Sequence, residues 1–363
     1  MPKTISVLVI GPAPAGANSR GGMATVSRLM IEHPDERFVV RAVPTYVDGS
    51  RTAKIRTGIV GTLTAVWTIL RGRVDVVHVH LAHGGSVLRK SLPLMAARRR
   101  RVSTVVHGHS YDFVGWFDSL ADPVARLVRM GLRADRWLVL GDELADEYSD
   151  RLRIPRDRVG VLYNPVRLPN RVSEQVDLEV VHIVTLGRLG ERKGSYDLVR
   201  ALAMLEPSVT ERIRVSMCGD GEIGEVEAAI EAAGISNVVT VPGWLSAEDA
   251  DELLSAAQIF VLPSYQEGLP MALLEAMGHG LAPITTAVGS IGEVITPGRN
   301  GVLVEPSDID ALTRAVTTLV TDDDARRTLA RNAREQAENF DLDSWYAEIA
   351  RVWTALYGDR SAR

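Results

Sequence analysis

Two carboxylates, Glu267 and Glu275, stand with seven residues between them in the stretch Pro-Ser-Tyr-Gln-Glu-Gly-Leu-Pro-Met-Ala-Leu-Leu-Glu-Ala-Met-Gly-His-Gly at 263–280. The apolar run Ile259 to Leu262 ahead of them reads as a buried strand. Pro270 to Gly278 reads as a helix, because proline is tolerated at the first helical position and glycine ends helices. Glu267 then lies in a strand-to-helix loop at the carboxyl edge of a sheet, where open α/β folds bind ligands. Glu275 sits about a turn and a half into the helix and can still face the same crevice. Free amides at a helix start hold phosphate, and carboxylates accept hydrogen bonds from sugar hydroxyls. The spacing points to a ligand that has both.

Other loops add charge and glycine. Val-Thr-Leu-Gly-Arg-Leu-Gly-Glu-Arg-Lys-Gly, 184–194, places Arg188 and Lys193 just beyond a strand, where fixed cations can stabilise developing negative charge. Taken alone, a solvated loop with three cations would read the same, and Arg192 is expected to be exposed. In Cys-Gly-Asp-Gly-Glu, 218–222, Gly219 and Gly221 would let a ligand approach the backbone, although a simple turn would also use them. The segment Gly11 to Gly22, with Gly21 and Gly22 at its end, lacks the Gly-x-Gly-x-x-Gly spacing of a dinucleotide site. Thr-Val-Val-His-Gly-His-Ser-Tyr-Asp-Phe, 104–113, offers His107 or His109 with Asp112. His78 and His80 alternate on one strand face, with His83 beyond, and could chelate, but no local Cys or carboxylate completes a metal set.

The elements that must carry these loops are legible as strand-like runs alternating with helical patterns, which argues for parallel sheets with crossover helices. The strands are expected at Ile5–Ile10, Arg37–Ala42, Val74–His80, Val102–His107, Trp137–Leu140 and Val159–Leu162, then at Val180–Leu186, Arg214–Cys218, Val238–Val241, Ile259–Leu262, Ala282–Thr285 and Gly301–Val304. Between the two sets, Asn164-Pro165 breaks the pattern and the polar stretch Leu168 to Asp177 reads as a linker. The last 25 residues, from Phe340 onward, have helical periodicity. Ile55 to Leu70 is apolar and flanked by Arg51, Lys54, Arg56, Arg71 and Arg73. As a helix it lacks the charged face of a membrane-surface helix, so burial against the first sheet is the expectation.

At 363 residues the chain exceeds what one core usually serves, which predicts two domains. Apolar residues at 46% and charged ones at 24% are those of a soluble globular protein. The single Cys218 precludes an internal disulfide and fits a reducing compartment. The first residues lack a signal-peptide layout and no apolar run reaches about 18 residues, so a cytoplasmic location is expected. The net charge of −5 hides a split: residues 1–175 hold 26 Lys and Arg against 16 Asp and Glu, and the rest hold 15 against 30. A basic half invites an anionic partner, or serves solubility alone.

The 263–280 stretch closely resembles the Glu-x7-Glu signature of retaining glycosyltransferases with the GT-B fold, of the family 4 (group 1) type, and the chain resembles that fold from end to end. The resemblance implies two Rossmann-like domains facing across a cleft, 1–167 and 178–344, with a C-terminal helix at about 345–363 crossing back to the first. It implies transfer of a hexose-type sugar, with retained anomeric configuration, from a UDP- or GDP-sugar to a glycan, glycolipid or lipid-linked acceptor. Glu275 would bind the ribose and Glu267 the sugar hydroxyls. Arg188 and Lys193 would grip the diphosphate, aided by amides near Gly268, Leu269, Pro270 and Met271. Gly219 and Gly221 would lie near the nucleotide, and Gly21 and Gly22 opposite the donor phosphate. Pro242-Gly243-Trp244 matches the family's turn beside the base. His109, with Asp112 at the family's spacing, would help position the reacting sugar, with His107 the competing register.

No cofactor and no divalent metal are expected, since cations and a helix dipole do that work. Neither Glu is assigned as a nucleophile, because the family is described by a front-face mechanism in which the departing phosphate assists the acceptor. Nucleic acid is not an expected partner; peripheral contact with an anionic membrane is. Two other readings stay open: a nucleotide-sugar epimerase on the same fold, and a non-catalytic nucleotide-sugar-binding protein.

Overall fold

Apolar runs without polar alternation suit strands buried on both faces, which is the situation in parallel sheets covered by helices. The computed structural model, which describes residues 4–16, 19–175 and 179–361, has such strands at both ends of the chain. Ala17 and Asn18 of the glycine loop, Val176–Leu178 and the last two residues lie outside the described residues. The chain divides into two compact units, Met1–Asn164 with Leu342–Arg363, and Pro165–Asp341.

In the first unit, β1 (Ile5–Pro12), β2 (Phe38–Tyr46), β3 (Val76–Leu81), β4 (Ser103–Gly108), β5 (Arg136–Val139) and β6 (Val159–Val161) form one sheet in the order β2-β1-β3-β4-β5-β6. Every neighbouring pair is parallel. All residues of β3 and β4 are buried. The C-terminal helix Leu342–Ser361 belongs to this unit: Trp353 donates from Nε1 to His78 Nδ1, 3.2 Å away, and Ser103 Oγ donates to the Leu356 carbonyl at 2.9 Å. Trp353 is fully buried, and truncating such a residue costs about 3–5 kcal/mol.

In the second unit, β7 (Val181–Leu186), β8 (Ile213–Cys218), β9 (Val239–Gly243), β10 (Ile259–Leu262), β11 (Ala282–Thr286) and β12 (Val302–Val304) form a parallel sheet in the order β12-β11-β10-β7-β8-β9. From β7 the chain adds strands to one side, then returns to start again at β10 on the other. The strand order therefore reverses between β7 and β10, the place in an open α/β sheet where ligands bind beyond the carboxyl ends of the strands.

One expectation needs correction. The polar stretch read as a linker is docked on the second unit: Ser173 N–H donates to the His279 carbonyl at 2.8 Å, and the Gln175 amide donates to the Gln258 and Gly280 carbonyls. The fully buried Arg326 donates in turn to the Gln175 side-chain carbonyl. These bonds satisfy irregular backbone that has no ladder of its own. The helix Arg51–Leu70 lies against the first sheet, as expected. It packs on the sheet through its small residues, burying Gly58, Gly61, Thr62, Ala65 and Ile69. A Cβ at Gly61 would stand 1.9 Å from the Pro44 carbonyl oxygen, so this close approach needs glycine. The large residues point outward, with Leu63 61% and Trp67 53% exposed.

Candidate functional site

The chain reversal between β7 and β10 brings two loops together, and both carry charge. The loop after β7 ends in a short 3-10 turn, Glu191–Lys193, followed by Gly194 at φ 68°. A side chain at Gly194 would collide with the Pro263 carbonyl, 2.1 Å from an added Cβ. The glycine thus lets the β7 loop lie directly against the loop after β10, and Tyr265 N–H donates to the Arg192 carbonyl at 2.9 Å to fix the register.

Across that seam the Lys193 ammonium donates to Glu267 Oε1, and the Ser264 hydroxyl donates to the same oxygen at 2.8 Å. The side chains of Lys193 and Glu267 are only 15% and 8% exposed. A buried carboxylate is costly unless paired and hydrogen-bonded, and here it has both. Arg192 was expected in solvent. Its guanidinium instead donates to the Gln266 carbonyl at 2.8 Å and stands 4.0 Å from Glu267 Oε2.

Arg188 reaches the other way, to Asp220 in the loop after β8, with contacts of 3.3 and 3.2 Å to its two carboxylate oxygens. Arg188 is 61% exposed and Asp220 19%. Asp220 went unread in the sequence, although its place between two glycines was the available signal. Those glycines have a reason internal to the protein. A Cβ at Gly219 would stand 1.6 Å from the Gly187 carbonyl oxygen, and one at Gly221 2.3 Å from that of Leu189. Both have positive φ. The β8 loop is pressed on the β7 loop, which accounts for both residues without a ligand.

Gly268, Leu269, Pro270 and Met271 are buried at the entry to the helix Met271–Gly278. Pro270 is the residue just before the helix, with extended ψ of 127°, rather than its first turn. No side chain caps this helix, so its leading amides are available to an anion. Glu275 lies half-buried in the helix's second turn. The Ser290 amide, donating to the Gly268 carbonyl at 2.8 Å, and the Thr286 hydroxyl, donating to the Ser264 carbonyl at 2.6 Å, brace the loop from behind.

The first unit gathers the remaining candidates at the carboxyl ends of β1, β3 and β4. Gly21, at φ 90°, precedes the helix Gly22–Glu32, which also lacks a side-chain cap. His78 and His80 on β3 and His107 on β4 are buried together, their candidate ligand nitrogens within 4.8 Å of one another. The third member is His107, from the neighbouring strand, and not His83, whose Nδ1 lies 2.6 Å from Ser110 Oγ. Trp353 donating to His78 Nδ1 leaves the His78 proton on Nε2, a nitrogen a metal would need without its proton. Among the described residues, no carboxylate joins the three imidazoles as a candidate ligand.

Burial holds His78 and His80 well below the ordinary imidazole range and brings His107 down to about 3. Nearby Lys90, donating to Thr45 Oγ1 at 2.6 Å, is lowered by burial to about 7. His109 lies just past β4, half-buried, with Nε2 2.8 Å from His80 Nδ1. The Asp112 carboxylate turns to Gly115 in the short helix Phe113–Asp118 that follows.

Comparison with known proteins adds the following. A family model described as glycosyl transferases group 1 matches residues 167–336, and one described as glycosyltransferase family 4 matches 13–168. The D-inositol 3-phosphate glycosyltransferase of Salinispora arenicola is 29% identical over 83% of this chain and 74% of its own length. The alpha-D-kanosaminyltransferase of Streptomyces kanamyceticus is 28% identical over 77% of each. The structure of Anabaena HepE in complex with UDP superposes with a TM-score of 0.77 at 18% identity, covering 97% of this chain and 100% of that one.

Proposed function

Since the chain belongs to the group 1, family 4 glycosyltransferases and has their GT-B fold, we propose that it transfers a hexose-type sugar from a nucleoside diphosphate sugar, with retention, to a glycan, glycolipid or lipid-linked acceptor. The observation that carries this reading is the buried Lys193–Glu267 pair where the second sheet's strand order reverses. It is a cation and an acceptor held ready beside an uncapped helix.

A diphosphate arriving there competes with Glu267 for Lys193 and with Asp220 for Arg188. Phosphate oxygens make charge-assisted hydrogen bonds as strong as those from the carboxylates they replace. Glu267, released from the ammonium, then accepts from hydroxyls of the sugar, and Glu275 accepts from those of the ribose. The amides at the start of Met271–Gly278 add the positive end of the helix dipole. In the transfer itself the bond from the anomeric carbon to the diphosphate oxygen breaks. The acceptor oxygen bonds to the same face of that carbon, and the acceptor proton passes to the departing phosphate. Lys193 and Arg188 stabilise the charge that collects on the leaving oxygen.

The donor assignment is supported in kind by HepE, whose structure holds UDP. Incubation with labelled UDP- and GDP-sugars without acceptor tests the reading. Slow release of free sugar with its anomeric configuration retained is expected. Epimerised nucleotide sugar, or binding with no turnover even after acceptors are added, would replace it.

A further inference from the structure

The helix Arg51–Leu70 packs its small residues inward and holds its large ones out, the reverse of an ordinary surface helix. Ile55, Ile59, Leu63 and Trp67, four residues apart in turn, form an outward stripe, each more than half exposed. The adjacent helix Gly85–Arg99 continues the face with Leu88, Leu92 and Met95, of which Leu88 is 73% exposed. Beside it, Asp122–Gly131 adds Leu127 and Met130. The three helices are fastened side by side: the Arg89 side chain lies against Gly58, and Arg98 donates to the Met130, Gly131 and Arg133 carbonyls. An apolar surface spread over three packed helices marks a docking site.

Charge selects the occupant. The first two helices contain no Asp or Glu, and the third has only Asp122. Exposed Arg51, Arg56, Arg99 and Arg126 stand on the same helices, and Arg71 lies 3.8 Å from the centre of the Trp67 ring. A second copy of this chain would bring like charges together. An anionic bilayer meets both features: headgroups pair with the arginines, and Trp67 sits at the depth where aromatic rings concentrate. None of the described helices is long and apolar enough to cross a membrane, so the face would lie in the interface. The polar side a free membrane-surface helix requires is unnecessary, because the back of Arg51–Leu70 is buried in its own unit.

We propose that the outward face of these three helices is a monotopic membrane-binding surface that seats apolar side chains into an anionic leaflet. The proposal does not rest on the transferase reading, and its test reads binding rather than turnover.

Co-sedimentation of the full chain with equimolar phosphatidylglycerol–phosphatidylcholine vesicles, and with phosphatidylcholine alone, is the experiment. It is run at about 0.1 M and about 1 M salt, where screening lengths are about 10 and 3 Å. Binding to the anionic vesicles is expected, with a clear fraction retained at high salt, because apolar insertion is not screened. Tryptophan emission should shift to the blue on binding, and W67F should abolish that shift while still sedimenting. The double variant L63E/L127E changes exposed positions only, so its melting temperature should match the wild type while its vesicle affinity falls at least about tenfold. Complete release at high salt would overturn insertion and leave headgroup attraction alone. Unchanged affinity of the double variant would also overturn it, as would a vesicle-free dimer that the double variant splits to monomers.

Discussion

The carboxyl ends of the two sheets are furnished in opposite ways. In the second unit the meeting loops carry full charges in pairs, Lys193 with Glu267 and Arg188 with Asp220. In the first, β3 and β4 end in His78, His80, His107 and His109, with Lys90 near by, and burial favours the uncharged form of every one. Paired charges are exchangeable: an incoming anion can take over a cation already held in place. Neutral rings can only offer or accept a hydrogen bond, which suits contact with hydroxyls. The contrast teaches that one fold, used twice, can be specialised by what its strand-end loops hold.

The largest effect should come from breaking the buried pair. K193A is expected to lower turnover about 10²- to 10³-fold, the usual loss for one fixed charge partner. E267Q should lower turnover as well as donor-sugar affinity while keeping Ser264 as a neighbour. Initial rates with saturating donor measure both; a K193A enzyme with normal rates would place the diphosphate elsewhere.

The exposed pair should matter less. R188A is expected to cost about 10- to 100-fold in turnover, and if both residues act on one diphosphate its effect should not add fully to that of K193A. D220N separates two possibilities. If Asp220 merely competes with donor, affinity for nucleotide rises; if it aims Arg188, turnover falls with little change in affinity.

Loss of a carboxylate–hydroxyl bond costs about 1.5–3 kcal/mol, so E275A should weaken nucleotide binding by roughly ten- to a hundredfold without lowering the melting temperature. A ligand that binds E275A as tightly as wild type would remove Glu275 from the ribose.

On the uncharged side the readout is stability against pH. The fold holds neutral imidazoles, whereas an unfolded chain protonates them near pH 6.5. Their contribution to stability is therefore full above about pH 6.5 and is lost as pH falls toward the lowered folded values, about 3 for His107. The slope can approach about 1.4 kcal/mol per pH unit for each ring. Lys90 acts in the same sense higher up: between about 7 in the fold and 10.5 unfolded, rising pH removes a cost. K90M should flatten the unfolding profile between pH 7 and about 10.5, and a flat profile in the wild type would show that Lys90 keeps its charge. The smallest expected effect is that of chelation: transfer should proceed unchanged in EDTA, and activity lost there and restored by Mg²⁺ or Mn²⁺ would show that a metal shares the work of Lys193 and Arg188.

Much of this was readable from residue order. All twelve described strands fall within a few residues of the apolar runs that announced them; the signal is unbroken in central strands such as β3, β4 and β10, which are buried on both faces, and weaker in the edge strands β2 and β9. The Glu267 loop and its helix were legible for the same reason. Pairing was not. Arg192 becomes a neighbour of Glu267 only because β10 is laid beside β7, and Asp220 a neighbour of Arg188 because β8 lies on the other side, and nothing local in the sequence encodes either proximity. The Arg51–Leu70 helix shows the complementary limit. Its composition revealed an apolar helix, but which side meets the sheet depended on Gly58 and Gly61 fitting beneath Thr45 and Pro44. Likewise the polar stretch before Gln175 looked unattached because its partners, Gln258, His279 and Arg326, are remote in sequence.

The central claim is that Lys193, held by Glu267 at the reversal of the second sheet, receives the donor's diphosphate. Calorimetric titration of UDP and of GDP into the wild type and into K193A tests it most directly, with melting temperatures taken alongside. One nucleotide should bind the wild type and lose at least about tenfold in affinity with K193A, about 1.4 kcal/mol or more, while the variant stays folded. Equal affinity in a folded K193A would contradict the claim.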